Sequence, residues 1–341
     1  MKHVVLSALL VGLTCNALGA DLTVVSFGGA SKAAQSKAFF KPFEQTTNKQ
    51  LIVGEWNGEM GKIKAMVDTQ SVVWDVVQIE GSELMRGCEE GLFEKIDPSL
   101  FSGAADYVPG TLTECGAGVL AWSMVITYDS NRLKVAPSGW GDFWDLQKYP
   151  GKRALRKGAK YTLEIALLAD GVAPDQLYKV LGTPEGVARA FQKLDQIKKS
   201  IQWWESGAQP LQFLASGDVV MSTAYNGRVF AAQQEGAAMK PVWNGSLYSI
   251  DSWTIPKGSA NKRLAQEFMA FTLRPEQQKI HTELLGYGST NVKTNALLSP
   301  DLVTQLNTAP QNMSAAFPLD LGFWADHGED LEERFIVWAA K

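Results

Sequence analysis

The sequence predicts an α/β protein with a largely parallel sheet and about two domains. Short runs rich in β-branched and aromatic residues alternate with longer segments whose apolar residues recur at helical spacing. This alternation favours parallel strands joined by crossover helices. With 341 residues and 45% hydrophobic content, the chain also exceeds the length at which one hydrophobic core keeps growing.

The elements follow one another regularly along the chain. The first β-rich run stops at Gly28-Gly29, and a helical segment with Ala38, Phe39 and Phe43 near one face comes next. The predicted strands are residues 21–27, 50–53, 74–78, 125–128, 201–204 and 219–224, with a further run at 251–256. The predicted helices are residues 33–44, 60–67, 161–168, 184–199, 262–273 and 276–285.

Several small or polar residues directly follow the predicted strands of the first third. They are Gly28, Gly29, Ser31, Glu80 and Ser82. Ligands of open α/β sheets lie at the carboxyl ends of the strands, where loops meet helix N-termini. We therefore expect a binding site at this edge of the sheet.

The N-terminus is typical of a secretory signal peptide. Lys2 and His3 precede an apolar run at residues 4–11, and small residues fill positions 16–20. A membrane anchor is the alternative, but the apolar run is shorter than the ~20 residues that span a bilayer. We expect residues 1–20 to be removed and the protein to be exported to the periplasm.

Charge and cysteine content narrow the possible partners. The chain has 36 acidic and 32 basic residues, a net charge of −4, which does not favour binding to nucleic acid or to an anionic membrane.

Cys88 and Cys115 are predicted to form a disulfide, because thiols of exported proteins tend to oxidise. Two separate buried thiols are the alternative.

Motifs for catalysis or for cofactor binding do not stand out. Beyond the signal peptide the histidines are His281, which we expect on a helix surface, and His327, which lies in an acidic and solvated turn. No histidine pair has zinc-ligand spacing, and no nucleophile elbow, phosphate-binding loop or dinucleotide fingerprint occurs. We predict no cofactor, metal or catalytic residue, with an enzyme acting on small amines as the alternative.

Six stretches resemble one protein family, in order along nearly the whole chain. They are AQSKAFFKPFE (34–44), WGDFWD (140–145), YPGKRA (149–154), YNGR (225–228), DSWTIP (251–256) and LGYGSTN (285–291). These stretches resemble the polyamine-binding branch of bacterial ABC-transporter solute-binding proteins.

The resemblance implies a two-lobed, type II periplasmic binding protein whose lobes close over a small ligand in the cleft between them. Lobe 1 would comprise residues 21–127 plus 250–295, and lobe 2 residues 128–249 plus 296–341. The chain would cross between lobes near Thr127 and Asp251. The implied partner is an inner-membrane ABC permease, and we expect a monomer.

In this family the aspartate at the position of Asp251 binds a ligand ammonium, and aromatic residues sandwich the carbon chain. An ammonium stripped of water requires a charge-assisted partner, and each aromatic face adds about 0.5–2 kcal/mol of cation–π attraction. Tyr225, Phe27 and one of the pair Trp203 and Trp204 are the aromatic candidates, because successive strand residues face opposite ways. Core packing is the alternative for each.

Two departures from the polyamine-binding pattern change the expected ligand. The loop RALRKGAKY (153–161) places Gly158 and Tyr161 where the family has acids for a second ammonium, and its four charged residues are basic. Arg228 stands where polyamine binders are normally uncharged, and a guanidinium fork matches a carboxylate. Arg228 and Asp251 therefore suit a zwitterion, as in the 4-aminobutyrate-binding members that the sequence resembles.

The hypothesis is thus a short ω-amino acid, 4-aminobutyrate or 5-aminopentanoate, with a polyamine such as putrescine or spermidine as the alternative. Pairing of Arg228 with Asp251, or a surface position for Arg228, would argue against it. Secondary candidates for ligand contacts are Tyr161, Glu59, Glu80, Ser82 and Ser123. Glu80 could meet the amine or cap a helix N-terminus.

Overall fold

The computed structural model describes residues 22–341, so the predicted signal peptide lies outside the described residues. The strands are β1 (Leu22–Phe27), β2 (Leu51–Trp56), β3 (Val76–Ile79), β4 (Gly116–Asp129), β5 (Arg153–Arg156), β6 (Ile201–Trp204), β7 (Met221–Tyr225), β8 (Met239–Thr254) and β9 (Phe317–Pro318).

Fifteen α-helices accompany these strands within the described residues. They are α1 (Ala30–Gln35), α2 (Lys41–Thr47), α3 (Met60–Asp68), α4 (Gly81–Glu89), α5 (Trp140–Trp144), α6 (Thr162–Ala169), α7 (Leu177–Leu181), α8 (Pro184–Asp195), α9 (Gln209–Ser216), α10 (Asn226–Gln234), α11 (Lys262–Thr272), α12 (Pro275–Leu285), α13 (Pro300–Gln305), α14 (Pro310–Met313) and α15 (Leu321–Ala339). A π-helical turn, Ser36–Phe40, joins α1 to α2.

The strands form one mixed sheet in the order β2-β1-β3-β8-β4-β7-β5-β6, and β9 pairs with β8. Strand β1 is parallel to β2 and β3, and β5 is parallel to β6 and β7. Between these two parallel sets lie the long strands β4 and β8, antiparallel to each other. The predicted α/β architecture is therefore confirmed, with an antiparallel centre that the sequence did not indicate.

Strands β4 and β8 connect the two parallel sets. The start of β4 lies beside the end of β8, next to β3, whereas residues 124–127 of β4 pair with β7. The register shifts twice between these points, at Gly118/Leu120 and at Met124/Ile126. Both chain crossings predicted from the sequence, near Thr127 and Asp251, fall within these two strands.

The core contains one side chain that was predicted on the surface. His281 on α12 is 2% exposed and stacks between the rings of Phe39, at 5.0 Å, and Tyr287, at 6.3 Å. Burial lowers the pKa of His281 to about 3, so the neutral ring packs as an aromatic residue. The surface prediction was wrong because helical periodicity alone does not show that Phe39 and Tyr287 cover this face of α12. His327 is exposed, as predicted, but it lies on helix α15 and not in a turn.

Cys88 near the end of α4 and Cys115 just before β4 form the predicted disulfide. Their Cα atoms are 5.8 Å apart, and 27 positions separate them in the sequence. The bond ties α4 to the beginning of the long central strand β4.

Replacing both cysteines by alanine should lower the free energy of unfolding by roughly 2–4 kcal/mol, because the open chain regains the entropy of a loop of this length. Urea unfolding of the oxidised wild type and of the double variant measures the difference. A reducing agent should destabilise the wild type and leave the variant unchanged. Equal stability of the two oxidised proteins would contradict this role for the bond.

Candidate functional site

The carboxyl ends of the parallel strands converge on a cavity of about 220 Å³. Each of these strands or the loop after it contributes lining residues: Phe27, Gly28, Gly29 and Ser31 from β1, Glu55 and Asn57 from β2, Gln78 and Glu80 from β3, Arg156 from β5, residues 205–208 after β6, and Tyr225 and Arg228 from β7. Leu120, Trp122, Asp251 and Tyr287 complete the wall. The rule that ligand sites lie at strand ends correctly predicts where this cavity forms.

Asp251 on β8 is 6% exposed, and neutral donors hold its carboxylate. The indole Nε1 of Trp122 donates to Oδ1 at 2.6 Å, and Nε2 of Gln78 donates to Oδ2 at 2.8 Å. Gln35 in turn donates to Oε1 of Gln78 at 2.7 Å. These bonds fix the orientation of the carboxylate toward the cavity.

The carboxylate of Asp251 forms no ion pair within residues 22–341. Burial, and next the negative charge of Glu80, raise the pKa of Asp251 well above its ordinary value, although the bonds from Trp122 and Gln78 oppose the shift. An ionised carboxylate in this setting is stabilised most by a cation that enters the cavity.

Arg228 brings a positive charge to the same cavity from the first turn of α10. Its Nη2 donates to the carbonyl oxygen of Gly28 at 2.8 Å. A Cβ atom at Gly29, where φ is +67°, would lie 3.1 Å from Nη1, so glycine gives the guanidinium its space. Arg228 and Asp251 do not pair with each other among the described residues, which removes one of the alternatives weighed above.

Glu80 is already paired. Lys160 Nζ lies 2.8 Å from its carboxylate, and the hydroxyl of Tyr161 donates to it. Burial opposes ionisation, but the charges of Lys160 and Arg156 outweigh it and lower the pKa of Glu80 to about 2. The side chain of Glu80 makes no capping hydrogen bond to α4, so the capping alternative is not observed.

Aromatic rings form one side of the cavity. Trp122 meets Tyr225 edge to face at 5.2 Å and Tyr161 at 5.6 Å between ring centroids. Phe27 stacks against Trp56 at 6.1 Å on the side of β1 and β2. Tyr225 and Phe27 thus line the cavity, as the sequence suggested.

Neither member of the tryptophan pair lines it. Trp204 is 1% exposed, donates to Thr223 Oγ1 at 3.0 Å and supports the ring of Tyr225 from behind at 5.7 Å. Trp203 on the opposite face packs against Phe335 and Trp338. The predicted alternation is confirmed, since Trp203 and Trp204 face opposite sides of β6. Neither ring reaches the cavity, because α15 covers one face of the strand and Tyr225 stands between the other face and the cavity.

Four further candidates also lie outside the lining. Glu59 is exposed and pairs with Lys62 at 3.3 Å. Ser82 donates to Glu83 at 2.9 Å, and the backbone N–H of Ser123 donates to the side chain of Asn226. Tyr161 lies behind Glu80. The structure therefore brings together Phe27, Ser31, Glu80, Tyr225, Arg228 and Asp251 of the predicted set.

Sequence reasoning missed Gln78, Trp122 and Tyr287. Gln78 ends a predicted strand and could have been found by the strand-end rule. Trp122 lies in an apolar run that suggests only a buried strand. Tyr287 approaches the site because Gly227 leaves room for it: a Cβ atom at Gly227 would lie 2.4 Å from the Tyr287 ring.

The sequence model of the family described as bacterial extracellular solute-binding protein matches residues 38–311. The chain belongs to this family. Its predicted membership among bacterial ABC-transporter solute-binding proteins and its predicted type II fold are thereby confirmed. Such solute-binding proteins bind small molecules and work with membrane permeases.

Individual relatives of this solute-binding protein carry more specific names. A gamma-aminobutyric acid-binding protein of Pseudomonas aeruginosa is 58% identical over 321 residues, 94% of this chain and 91% of the relative. The solved structure of a GABA receptor is 34% identical, with a TM-score of 0.85 over 94% of this chain and 98% of the other. The spermidine/putrescine-binding periplasmic protein of Escherichia coli is 25% identical over 232 residues, 65% of each chain.

These relatives are binding proteins rather than enzymes. Within residues 22–341, no helix of this solute-binding protein has the length and apolar character that crossing a membrane requires. In the same range, no group of three or more His, Cys, Asp or Glu side chains is arranged to hold a metal ion.

Asp251→Asn should remove a pH-dependent loss of stability from the ligand-free protein. Because the folded state raises the pKa of Asp251 above its ordinary value of 3.8, the unfolded chain loses this proton at lower pH. Stability is therefore lost as pH rises above about 3.8 in the wild type, and asparagine removes this loss. The amide has one acceptor oxygen in place of two, so the donor of Trp122 or of Gln78 is left unsatisfied, which costs about 1–3 kcal/mol at every pH.

Urea unfolding of ligand-free protein between pH 4 and pH 8 tests this. Asp326→Asn, on the exposed face of α15, is the control and should not change the pH profile. A variant at 251 whose stability falls with rising pH as steeply as that of the wild type would contradict the expectation.

Proposed function

We propose that this chain is the periplasmic component of an ABC importer and that its ligand is a short ω-amino acid, 4-aminobutyrate or 5-aminopentanoate. One observation carries the proposal. Asp251 and Arg228 line one small cavity with opposite charges and make no ion pair with each other.

The ligand's ammonium would bind Asp251. That carboxylate has hydrogen bonds from Trp122 and Gln78 but no cationic partner among the described residues, so an ammonium supplies the interaction that it lacks. The rings of Trp122 and Tyr225 meet at right angles beside it, and their faces add cation–π attraction.

The ligand's carboxylate would bind Arg228. Nη2 of the guanidinium donates to the carbonyl oxygen of Gly28, and the guanidinium also contacts the hydroxyl of Tyr287. A guanidinium has five N–H groups, so others remain for a carboxylate. The cavity of about 220 Å³ is smaller than the ~300–1,000 Å³ of pockets for drug-sized ligands, which suits a chain of four or five carbons.

Closure of two lobes would complete the site. With the lobes divided at residues 127/128 and 249/250, the bond from Arg228 to Gly28 and the ion pair between Lys160 and Glu80 both join lobe 1 to lobe 2. The register shifts of β4 mark where the connecting strands would bend. The closed monomer would then dock on an inner-membrane permease, after export directed by residues 1–20.

The relatives support the amino acid over a polyamine. The 58% identical relative is named for gamma-aminobutyric acid and covers nearly the whole chain, whereas the polyamine-binding relative is 25% identical over 65%. A second ammonium in this cavity would also meet Arg156 and Arg228, which disfavours it.

Calorimetry on refolded, ligand-free protein tests the proposal. Wild type should bind 4-aminobutyrate or 5-aminopentanoate tightly and putrescine weakly. Arg228→Gln should weaken amino-acid binding at least about 30-fold, because it leaves a buried carboxylate unpaired. It should also abolish the preference for 4-aminobutyrate over butylamine, which lacks the carboxylate.

Arg263→Gln is the matched control, since Arg263 is 91% exposed by its side chain and pairs only with Glu267 on α11. Tight putrescine binding by wild type, with no heat from either amino acid, would reject the proposal. Unchanged amino-acid affinity in Arg228→Gln would reject the assigned role of the guanidinium.

A further inference from the structure

We propose that Lys160 determines specificity: its own ammonium occupies the acidic corner of the cleft where a diamine would place its second ammonium. The inference rests on the proposed function, and it identifies how the chain separates ω-amino acids from diamines. The corner is formed at the start of α4 by Glu80, which lines the cavity, and by Ser82 and Glu83, which do not.

The contacts of Lys160 are those of a fully satisfied ammonium. Its Nζ lies 2.8 Å from a carboxylate oxygen of Glu80 and 3.2 Å from Oγ of Ser82, and it pairs with Glu83. Three acceptors match the three donors of an ammonium group. Since Lys160 is 7% exposed, water contributes little to this site.

The surrounding backbone holds Lys160 in place. The N–H groups of Ala159 and Lys160 donate to the carboxylate of Glu332 on α15, at 3.0 and 3.2 Å. Tyr161, the next residue, adopts φ +74°, an uncommon conformation for a residue with a side chain, and its hydroxyl bonds to Glu80. The chain thus turns sharply at this point, and the turn directs both side chains at one carboxylate.

The pairing changes the charge that a ligand meets. Four carboxylates line the cavity. Glu55 pairs with Lys32 and Glu205 with Lys157, which leaves Glu80 and Asp251 as the two that favour a ligand with two ammonium groups. Lys160 neutralises Glu80, which leaves Asp251 as the carboxylate without a cation. Although burial alone would lower the pKa of Lys160, Glu80 and Glu83 raise it, so the ammonium stays charged.

A purely mechanical role makes a different prediction. With the lobes divided as proposed, the bonds from Lys160 to α4 join the two lobes and stabilise the closed form. Loss of such a contact would weaken every ligand by the same factor. Loss of an internal cation instead frees Glu80 and Glu83 and changes the ratio between ligands.

The test is Lys160→Met, with dissociation constants for putrescine and 4-aminobutyrate measured by calorimetry on ligand-free protein. Putrescine should bind at least about tenfold more tightly than it binds wild type, the effect of one charge-assisted bond. Binding of 4-aminobutyrate should not improve.

Lys64→Met is the control. It removes the same charge but frees Asp68 on α3, which does not line the cavity and whose ion pair with Lys64 is more than half exposed on both sides. We expect no gain for putrescine. In Lys160→Met, replacing Glu80 by Gln should abolish the gain, because the freed carboxylate is then absent.

Parallel weakening of both ligands in Lys160→Met, or an equal putrescine gain in Lys64→Met, would overturn the inference. Circular dichroism checks folding, and Lys160→Gln serves for the same comparison if the methionine variant does not fold. If wild type binds neither ω-amino acid, the proposed function falls, while the putrescine comparison still decides the role of Lys160.

Discussion

The site is organised around the carboxylate of Asp251, which is buried and has no cationic partner among the described residues. Asp251 receives hydrogen bonds from Trp122 and Gln78, which orient it but carry no charge. The ligand-free protein therefore holds this group at a cost in stability, and a bound cation relieves the cost. Because folding has already placed the partners of Asp251, ligand binding does not have to order them.

The other charges around the cleft are distributed unevenly. Glu80 and Lys160 satisfy each other, with Ser82 and Tyr161 completing the set. Arg228 is held by the backbone carbonyl oxygen of Gly28 and by the hydroxyl of Tyr287, neither of which carries a charge. Asp251 thus remains for the positive end of a ligand, and Arg228, with Arg156 in the same wall, remains for its negative end, which favours a guest with one positive and one negative end.

The sheet explains how these groups meet. Parallel strands from two sets point their carboxyl ends at one cavity, and the long antiparallel strands β4 and β8 lie between the sets, with β8 paired to β3 and β4 paired to β7. Asp251 lies on β8 and Trp122 on β4, within the segment that connects the sets. A movement of one set relative to the other would therefore change the site directly, without an intervening relay.

The sequence by itself determined the α/β alternation, the disulfide and the place of the site at the strand ends, because these depend on local periodicity and on general rules of topology. Its resemblance to a known family also directed attention to Arg228 and Asp251. Only the tertiary structure decided which face of each element is covered. Trp203 and Trp204 lie away from the cavity and His281 is buried, since α15, Tyr225 and Phe39 come from distant parts of the chain. The pairing of Glu80 with Lys160 likewise joins positions that are 80 residues apart. No local pattern records such contacts, because each forms only when separate elements of the fold pack together.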